Sequence, residues 1–234
     1  MTREKADAAL RAAFRGRPGC ATVLDRHTGR ALAHWRPDLV KNWSAAPGSV
    51  LKPLVLSILE PVDASYPCTR RLSIDGMTLD CTHNPTVEPV DSPTALALSC
   101  NAWFARRATS IEPARMTALF AGAEFQPPTK PAAVQLLVLG ARGIRVTPSW
   151  LARAYFKLLT GAPPQVVAGL EHAISEGTAH AARPALGGKT GTSREAAWFA
   201  GYDSTMLLVV ALPAGTGGGD AAPLAGEFFT QCAR

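Results

Sequence analysis

The chain has 234 residues, 47% of them apolar, enough for one sizeable core and within the usual range of a single domain. Its formal charge is +6 and its pI about 9.3, yet the longest basic runs are the pairs Arg70-Arg71 and Arg106-Arg107; this argues against a nucleic-acid footprint and suits an anionic cell envelope. No stretch approaches bilayer length and the first twenty residues lack the apolar core of a signal peptide, so export would need a segment not present in this chain.

In chain order, residues 1–14 predict a short charged helix with Ala6, Leu10 and Phe14 on one side. Residues 19–24 and 31–35 read as a β-hairpin around Thr28-Gly29, followed by a polar connection over 37–48. A turn at Pro47-Gly48 opens into an apolar helix starting at Ser49 and ending near Glu60-Pro61, because a residue before proline avoids helical geometry. Residues 66–83 predict a second hairpin with Asp75-Gly76 at its tip. Helices are expected over 93–108, 112–122, 134–139, 148–160 and 164–176. Three successive strands follow over 186–192, 196–202 and 205–212, then a Gly-rich loop at 215–219 and a last helix over 223–232.

These elements imply an α+β fold: a five-stranded antiparallel sheet built from both chain ends and covered by helices. A mostly helical second lobe spans approximately 44–182, with the sheet lobe at 1–43 and 183–234, and a cleft lies between the two. The whole chain, 1–234, is expected to be one domain.

Cysteines number five (Cys20, Cys68, Cys81, Cys100, Cys232), an odd count without a C-x-x-C, which argues against a zinc ribbon or a thioredoxin-like redox centre. One or two disulfides plus a free buried thiol is the plain expectation. Pairing across the Asp75-Gly76 tip sets Cys68 opposite His83 and places Cys81 diagonally on the same face, a separation of roughly 7 Å that is long for a disulfide. The alternatives are a disulfide in a shifted register and a small structural metal site using Cys68, Cys81, His83 and a carboxylate.

The chemistry concentrates at Ser49-Val50-Leu51-Lys52. Residues three apart share a helix face, so the Ser49 hydroxyl and Lys52 amine form a candidate nucleophile and base. At the helix start the Ser49 N–H has no intrahelical partner, and the positive end of the helix dipole favours a developing oxyanion. Ser99-Cys100-Asn101 and Lys189-Thr190-Gly191 follow in order, the latter with Gly188 and Gly191 suited to close backbone approach by a ligand.

Together the three motifs resemble those of serine β-lactamases and penicillin-binding proteins. The segments 47–54, 95–104 and 188–193 with 197–202 are similar to those around the three motifs of penicillin-binding transpeptidase domains. Val146-Thr147-Pro148 with 151–155, and Glu176-Gly177-Thr178-Ala179, fit connecting stretches of the same family.

The resemblance implies a serine acyl-transferase, a D,D-transpeptidase or D,D-carboxypeptidase, acting on D-Ala-D-Ala peptidoglycan stem peptides through a Ser49 acyl-enzyme and acylated by β-lactams. Lys52 is implied as the base, Ser99 as the relay towards the leaving amine, and Asn101 as the holder of the substrate amide. Lys189 supplies positive potential, and Thr190 and Thr192 with Gly191 bind the terminal carboxylate end. The N–H groups of Ser49 and Thr192 form the oxyanion hole, and Cys100 is a core thiol facing away from the cleft. No catalytic metal, organic cofactor or nucleic acid is implied. The protein works outside the cytoplasm, with membrane association only through a segment absent from this chain.

The spacing between motifs is closer to class D β-lactamases and related β-lactam sensor domains, which makes a class D-like β-lactamase and a non-turnover sensor the alternatives. Asn101 stands where class D enzymes have an apolar residue, and no Glu-x-x-Leu-Asn deacylation segment of class A is evident. Read without the family, Ser49, Lys52, Ser99 and Asn101 are helix-cap and surface residues, and Lys189 to Gly191 is an edge strand. The histidines other than His83 are dispersed, and the 215–219 loop lacks a phosphate-binding fingerprint.

Overall fold

A computed structural model describes residues 1–59, 65–84 and 89–233. Helix α1 (Arg3–Phe14) is capped by the Thr2 hydroxyl, which accepts from Lys5 N, and it buries Ala6, Leu10 and Phe14 as its spacing requires. Strands β1 (Cys20–Asp25) and β2 (Ala31–Trp35) form the expected hairpin. The connection after them is not all loop, since it holds α2 (Pro37–Asn42); proline at the first helical position gives up no hydrogen bond and presets φ.

A tight 3-10 turn, Gly48–Leu51, runs directly into α3 (Lys52–Ile58). Glu60 and Pro61, expected at the end of this helix, lie outside the described residues. The second hairpin has its tip at Asp75-Gly76, but its regular strands are only β3 (Ser73–Ile74) and β4 (Met77–Thr78). The single helix expected over 93–108 is two, α4 (Ser92–Ala97) and α5 (Asn101–Ala108). They part at Ser99, whose backbone is left-handed with φ 58°.

After these come α6 (Pro113–Leu119), β5 (Glu124–Phe125), α7 (Pro131–Val138), β6 (Ile144–Arg145), α8 (Pro148–Leu159) and α9 (Pro164–Ser175). The β5–β6 pairing is two residues long and has no alternation by which to read it in the sequence. Strands β7 (Gly187–Thr192), β8 (Ala197–Tyr202) and β9 (Met206–Leu212) lie where the sequence places them, and α10 (Ala222–Ala233) closes the chain. The Gly-rich stretch before α10 is a wide helical turn, Gly217–Ala221, held by the Thr216 hydroxyl and Asp220.

The fold is α+β. Its five strands run antiparallel in the order β2-β1-β9-β8-β7, so the two N-terminal strands pair with the last strand of the C-terminal meander. Both faces of the sheet are covered. Leu207, Val209 and Ala211 of β9 join the core under α3, α5 and α8, while Met206, Leu208, Val210 and Leu212 pack against α1 and α10. Burial on both sides explains why β9 reads as a continuous apolar run rather than an alternating one.

Helix α8 shows how the core reaches the chemistry. The Thr147 hydroxyl caps it by accepting from Trp150 N at 3.1 Å, its apolar face carries Leu151, Tyr155 and Leu158, and the wholly buried Tyr155 hydroxyl donates to Val50 O at 2.6 Å. Burial raises the pKa of this phenol well above its usual value, keeping it a neutral donor. Tyr155→Phe strands a buried carbonyl in the turn beside Ser49, and the expected loss is about 1–3 kcal/mol in a denaturant melt.

Candidate active site

The turn carrying Ser49 is pinned from three sides. Ala45 bridges Val146, Gly48 N donates to Gly140 O at 3.0 Å, and Trp198 Nε1 donates to Ala46 O at 3.0 Å. Trp43 stacks on Trp198 with ring centroids 6.0 Å apart. On the remaining side β7 approaches so closely that a Cβ added to Gly191 would stand 2.4 Å from Pro47 O and 2.8 Å from Val50 N. Glycine is therefore required at 191 for backbone-to-backbone contact. Gly191→Ala is expected to push the turn off β7 and to lower stability by about 1–3 kcal/mol, the usual cost of overpacking a close contact; the check is a denaturant melt.

Ser49 is half-buried and borders a cleft of about 740 Å³. Its walls include the hairpin tip from Gly76 to Leu79, Asn101, Gly140, Thr192 and Glu195. Glu195 pairs with Arg145 and also accepts from Ala46 N at 3.3 Å, tying the far rim to the segment before Ser49.

Lys52 follows one turn later and is wholly buried. Its Nζ donates to Ser99 O at 2.8 Å, Asn101 Oδ1 at 2.6 Å and Ser99 Oγ at 3.3 Å. Burial lowers its pKa from 10.5 to about 7, against the opposing pull of Cys100 and Cys81. A neutral amine in this position keeps two N–H donors for the close oxygens and a lone pair for a hydroxyl proton.

The break between α4 and α5 builds the second part of the site. Cys100 N donates to Ala95 O at 2.8 Å and turns the chain, and Ser99 takes the left-handed conformation that costs a non-glycine residue on the order of 1–2 kcal/mol. Ser99 and Asn101 both reach Lys52 as a result, while Cys100 is wholly buried. The amide nitrogen of Asn101 donates to Leu79 O at 3.0 Å, which fastens α5 to the second hairpin.

Strand β7 supplies the third wall and is an edge of the sheet. Ser193 N donates to Ala196 O at 2.9 Å, which makes the adjoining Thr192–Ala197 pair a non-hydrogen-bonded one. The Thr192 N–H consequently points off the edge, away from β8. Lys189 is wholly buried, and burial with the nearby Lys52 charge lowers its pKa well below the usual lysine range. Its Nζ donates to Thr178 Oγ1 at 3.3 Å and Thr190 O at 3.1 Å, and the Thr190 and Thr178 hydroxyls are 2.9 Å apart.

Of the residues singled out in the sequence, Ser49, Asn101 and Thr192 line the cleft. Lys52 and Lys189 lie buried near one another, joined respectively to Ser99 with Asn101 and to Thr190. Gly191 packs on the Ser49 turn, and Thr192 Oγ1 accepts from Gly217 N at 2.9 Å. The sequence assigns no role to Thr178 or Tyr155; helical spacing with Leu151 and Leu158 marks Tyr155 as a core position, but nothing local marks the hydrogen bonds that either residue makes. The assembly offers a cleft-lining hydroxyl, two buried amines and an N–H donor at a strand edge, groups of the kind that acyl transfer uses.

The cysteine expectations need correction. All five cysteines are free, so no disulfide joins the second hairpin. The register is the unshifted one, with Cys68 facing His83 at 3.4 Å from Sγ to Nε2.

No family model and no curated protein matches this chain. Solved structures do. One is a peptidoglycan glycosyltransferase from Burkholderia ambifaria, with a TM-score of 0.81 and 20% identity, covering 99% of this chain and 95% of that one. The TP domain of Burkholderia pseudomallei penicillin-binding protein 3 has a TM-score of 0.80 and 18% identity, covering 99% and 93%. The D,D-transpeptidase domain of a peptidoglycan glycosyltransferase from Eggerthella lenta has a TM-score of 0.78 and 16% identity, covering 97% and 80%. The chain has the fold of penicillin-binding transpeptidase domains over nearly its whole length.

Proposed function

We propose that this chain is a penicillin-binding serine acyl-transferase domain acting on peptidoglycan stem peptides ending in D-Ala-D-Ala. The observation that carries the reading is the buried Lys52 amine, one turn after Ser49 and hydrogen-bonded to both Ser99 and Asn101. Burying an amine costs desolvation that an alkyl side chain would avoid, and here the cost is borne beside a cleft-lining hydroxyl.

In this mechanism the Ser49 oxygen attacks the carbonyl of the penultimate D-alanine while its proton passes to Lys52. The Ser49 and Thr192 N–H groups hold the oxyanion. Ser99 relays the proton from Lys52 to the departing amine, the peptide C–N bond breaks, and terminal D-alanine leaves. Lys189, Thr190 and Thr192 attract and orient the terminal carboxylate, and Asn101 holds the substrate amide. An amine acceptor or water then attacks the ester and frees Ser49. A β-lactam enters by the same first step, but its opened ring stays tethered and blocks the acceptor.

Such a substrate places the protein outside the cytoplasmic membrane. Among the described residues no helix is long and apolar enough to span a bilayer.

The test is the intact mass of the protein, under denaturing conditions, after incubation with benzylpenicillin. One covalent penicillin per chain, released slowly, is the expected result. Rapid release with hydrolysed drug makes the protein a β-lactamase of class D-like layout, and no adduct at any time sinks the proposal.

A further inference from the structure

Beside the catalytic motifs sits a cluster that the acyl-transfer chemistry does not use: Cys68, Cys81, His83 and Cys100. Their three sulfurs and one ring nitrogen all lie within 4.8 Å of one another. Cys81 and Cys100 are buried and Cys68 is half-buried. A single buried thiol packs as a small hydrophobe, but three of them converging on a buried imidazole, a polar group that an alkyl side chain would replace at less cost, is more than packing asks.

Two of the six separations match the edges of a tetrahedral metal site, and all six fall within 4.8 Å. With Zn–S of about 2.3 Å and Zn–N of about 2.0 Å, a tetrahedron has S···S edges of about 3.8 Å and S···N edges of about 3.5 Å. Here the Cys81 and Cys100 sulfurs are 3.8 Å apart, and Cys68 Sγ is 3.4 Å from His83 Nε2.

The surroundings are also arranged for a cation. His83 Nδ1 is 2.7 Å from Asn84 O, which can only accept. Nδ1 therefore carries the hydrogen, and Nε2 turns its lone pair towards the sulfurs, as second-shell carbonyls do for metal-bound histidine. Backbone N–H groups point at the sulfurs as well. Arg70 N donates to Cys68 Sγ at 3.4 Å and Ala102 N to Cys81 Sγ at 3.5 Å, contacts that favour thiolates.

We propose that Cys68, Cys81, His83 and Cys100 bind one Zn²⁺ and that this ion positions Ser99 and Asn101 against Lys52. Three sulfurs and one imidazole in a closed tetrahedron select zinc over harder divalent ions and leave no open position for water, so the ion is structural. On binding, each thiol gives up its proton to solvent.

The positioning follows from connectivity. Cys100 lies between Ser99 and Asn101, and Cys81 belongs to the hairpin arm whose Leu79 O accepts from Asn101 Nδ2. A metal joining the two segments fixes Asn101 from both ends and holds the left-handed Ser99. Metal binding rests on the ligand geometry alone; its effect on acylation rests on the function proposed above.

The experiment uses the full chain purified under reducing conditions. Elemental analysis and native mass spectrometry should find one zinc per chain, lost on denaturation. Exchange with Co²⁺ should give the intense visible bands of a tetrahedral thiolate site. Cys81→Ser should weaken zinc by more than about 100-fold, a larger loss than for an outer-shell partner, while Cys20→Ser and Cys232→Ser retain it. Should Cys81→Ser fail to fold, the Co²⁺ spectrum and a zinc-dependent rise in melting temperature of the unaltered protein decide.

Removing zinc with a chelator should slow benzylpenicillin acylation by roughly 10-fold or more, and restoring zinc should reverse the loss. Metal-free protein that neither binds Co²⁺ tetrahedrally nor melts higher with zinc overturns the site, as does an oxidised Cys81–Cys100 pair. Bound zinc whose removal leaves acylation unchanged overturns the positioning role. Absence of acylation in every metal state refutes the acyl-transferase reading and leaves the metal measurements standing.

Discussion

Ser49→Ala is expected to abolish covalent labelling by a fluorescent penicillin, whereas Ser57→Ala on the following helix labels normally. The contrast is informative because the two serines sit on the same short helical run and differ in what they face. Ser49 borders the cleft, while the Ser57 hydroxyl donates back to Leu54 O at 2.7 Å within its own helix. Removing a nucleophile removes the covalent step altogether, and no neighbouring group substitutes for it. Gel fluorescence at saturating label, with circular dichroism to establish folding, is the measurement. Undiminished labelling of Ser49→Ala means that acylation occurs elsewhere.

The second large effect belongs to Lys52. In the proposed mechanism only its neutral form accepts the Ser49 proton, and burial brings its pKa down to about 7. The acylation rate of the unaltered protein should therefore climb through a midpoint near that value and gain roughly 10-fold between pH 6 and pH 8. Lys52→Arg carries a charge that solution pH does not remove, so acylation should fall on the order of 10³-fold and lose this limb, within the range typical of general-base loss. A rate independent of pH across that interval would falsify the role of the amine.

The same depression bears on stability with a definite sign. Between about 7 and 10.5 the unfolded lysine binds a proton that the folded one does not, so this group's contribution to stability grows as pH rises through that window. Below the folded value the full cost of charging a buried amine is present. A buried lysine of this kind burdens the fold, which is the usual trade between stability and activity.

Much of the architecture was legible in the residues. The three C-terminal strands and the first hairpin were evident because apolar runs bounded by Gly, Asp and Ser are local signals. Five of the helices begin on proline, a start mark readable without the fold. The helix break at Ser99 was not legible, since 93–108 is helical by composition and only the contacts of Cys100 and Lys52 hold the left-handed residue there. Tertiary structure overrode propensity at the position where the chemistry needed two side chains on one amine.

The candidate site divides in the same way. Ser49, Lys52, Ser99, Asn101 and Lys189 to Thr192 were picked out by motif, while Thr178, Gly140 and Tyr155 became visible only once distant segments met. The cysteine cluster is the sharpest case. Cys68 and His83 pair by hairpin register, and Cys100 is the buried core thiol that the sequence indicates, but its approach to Cys81, nineteen residues away, comes only from the fold.

By itself the sequence determined most of the long helices and the five sheet strands, which ends of the chain share a sheet, and which side chains are candidates for acyl transfer. The elements follow from periodicity and turn chemistry, which act over a few residues, and the candidate side chains from the resemblance of three short motifs to a known family. Tertiary structure alone decided that Lys52 and Lys189 are buried, that Ser99 is left-handed, and that three thiols and an imidazole converge. Burial and convergence are set by the packing of segments far apart in the chain, and pKa values and ligand geometry are consequences of that packing.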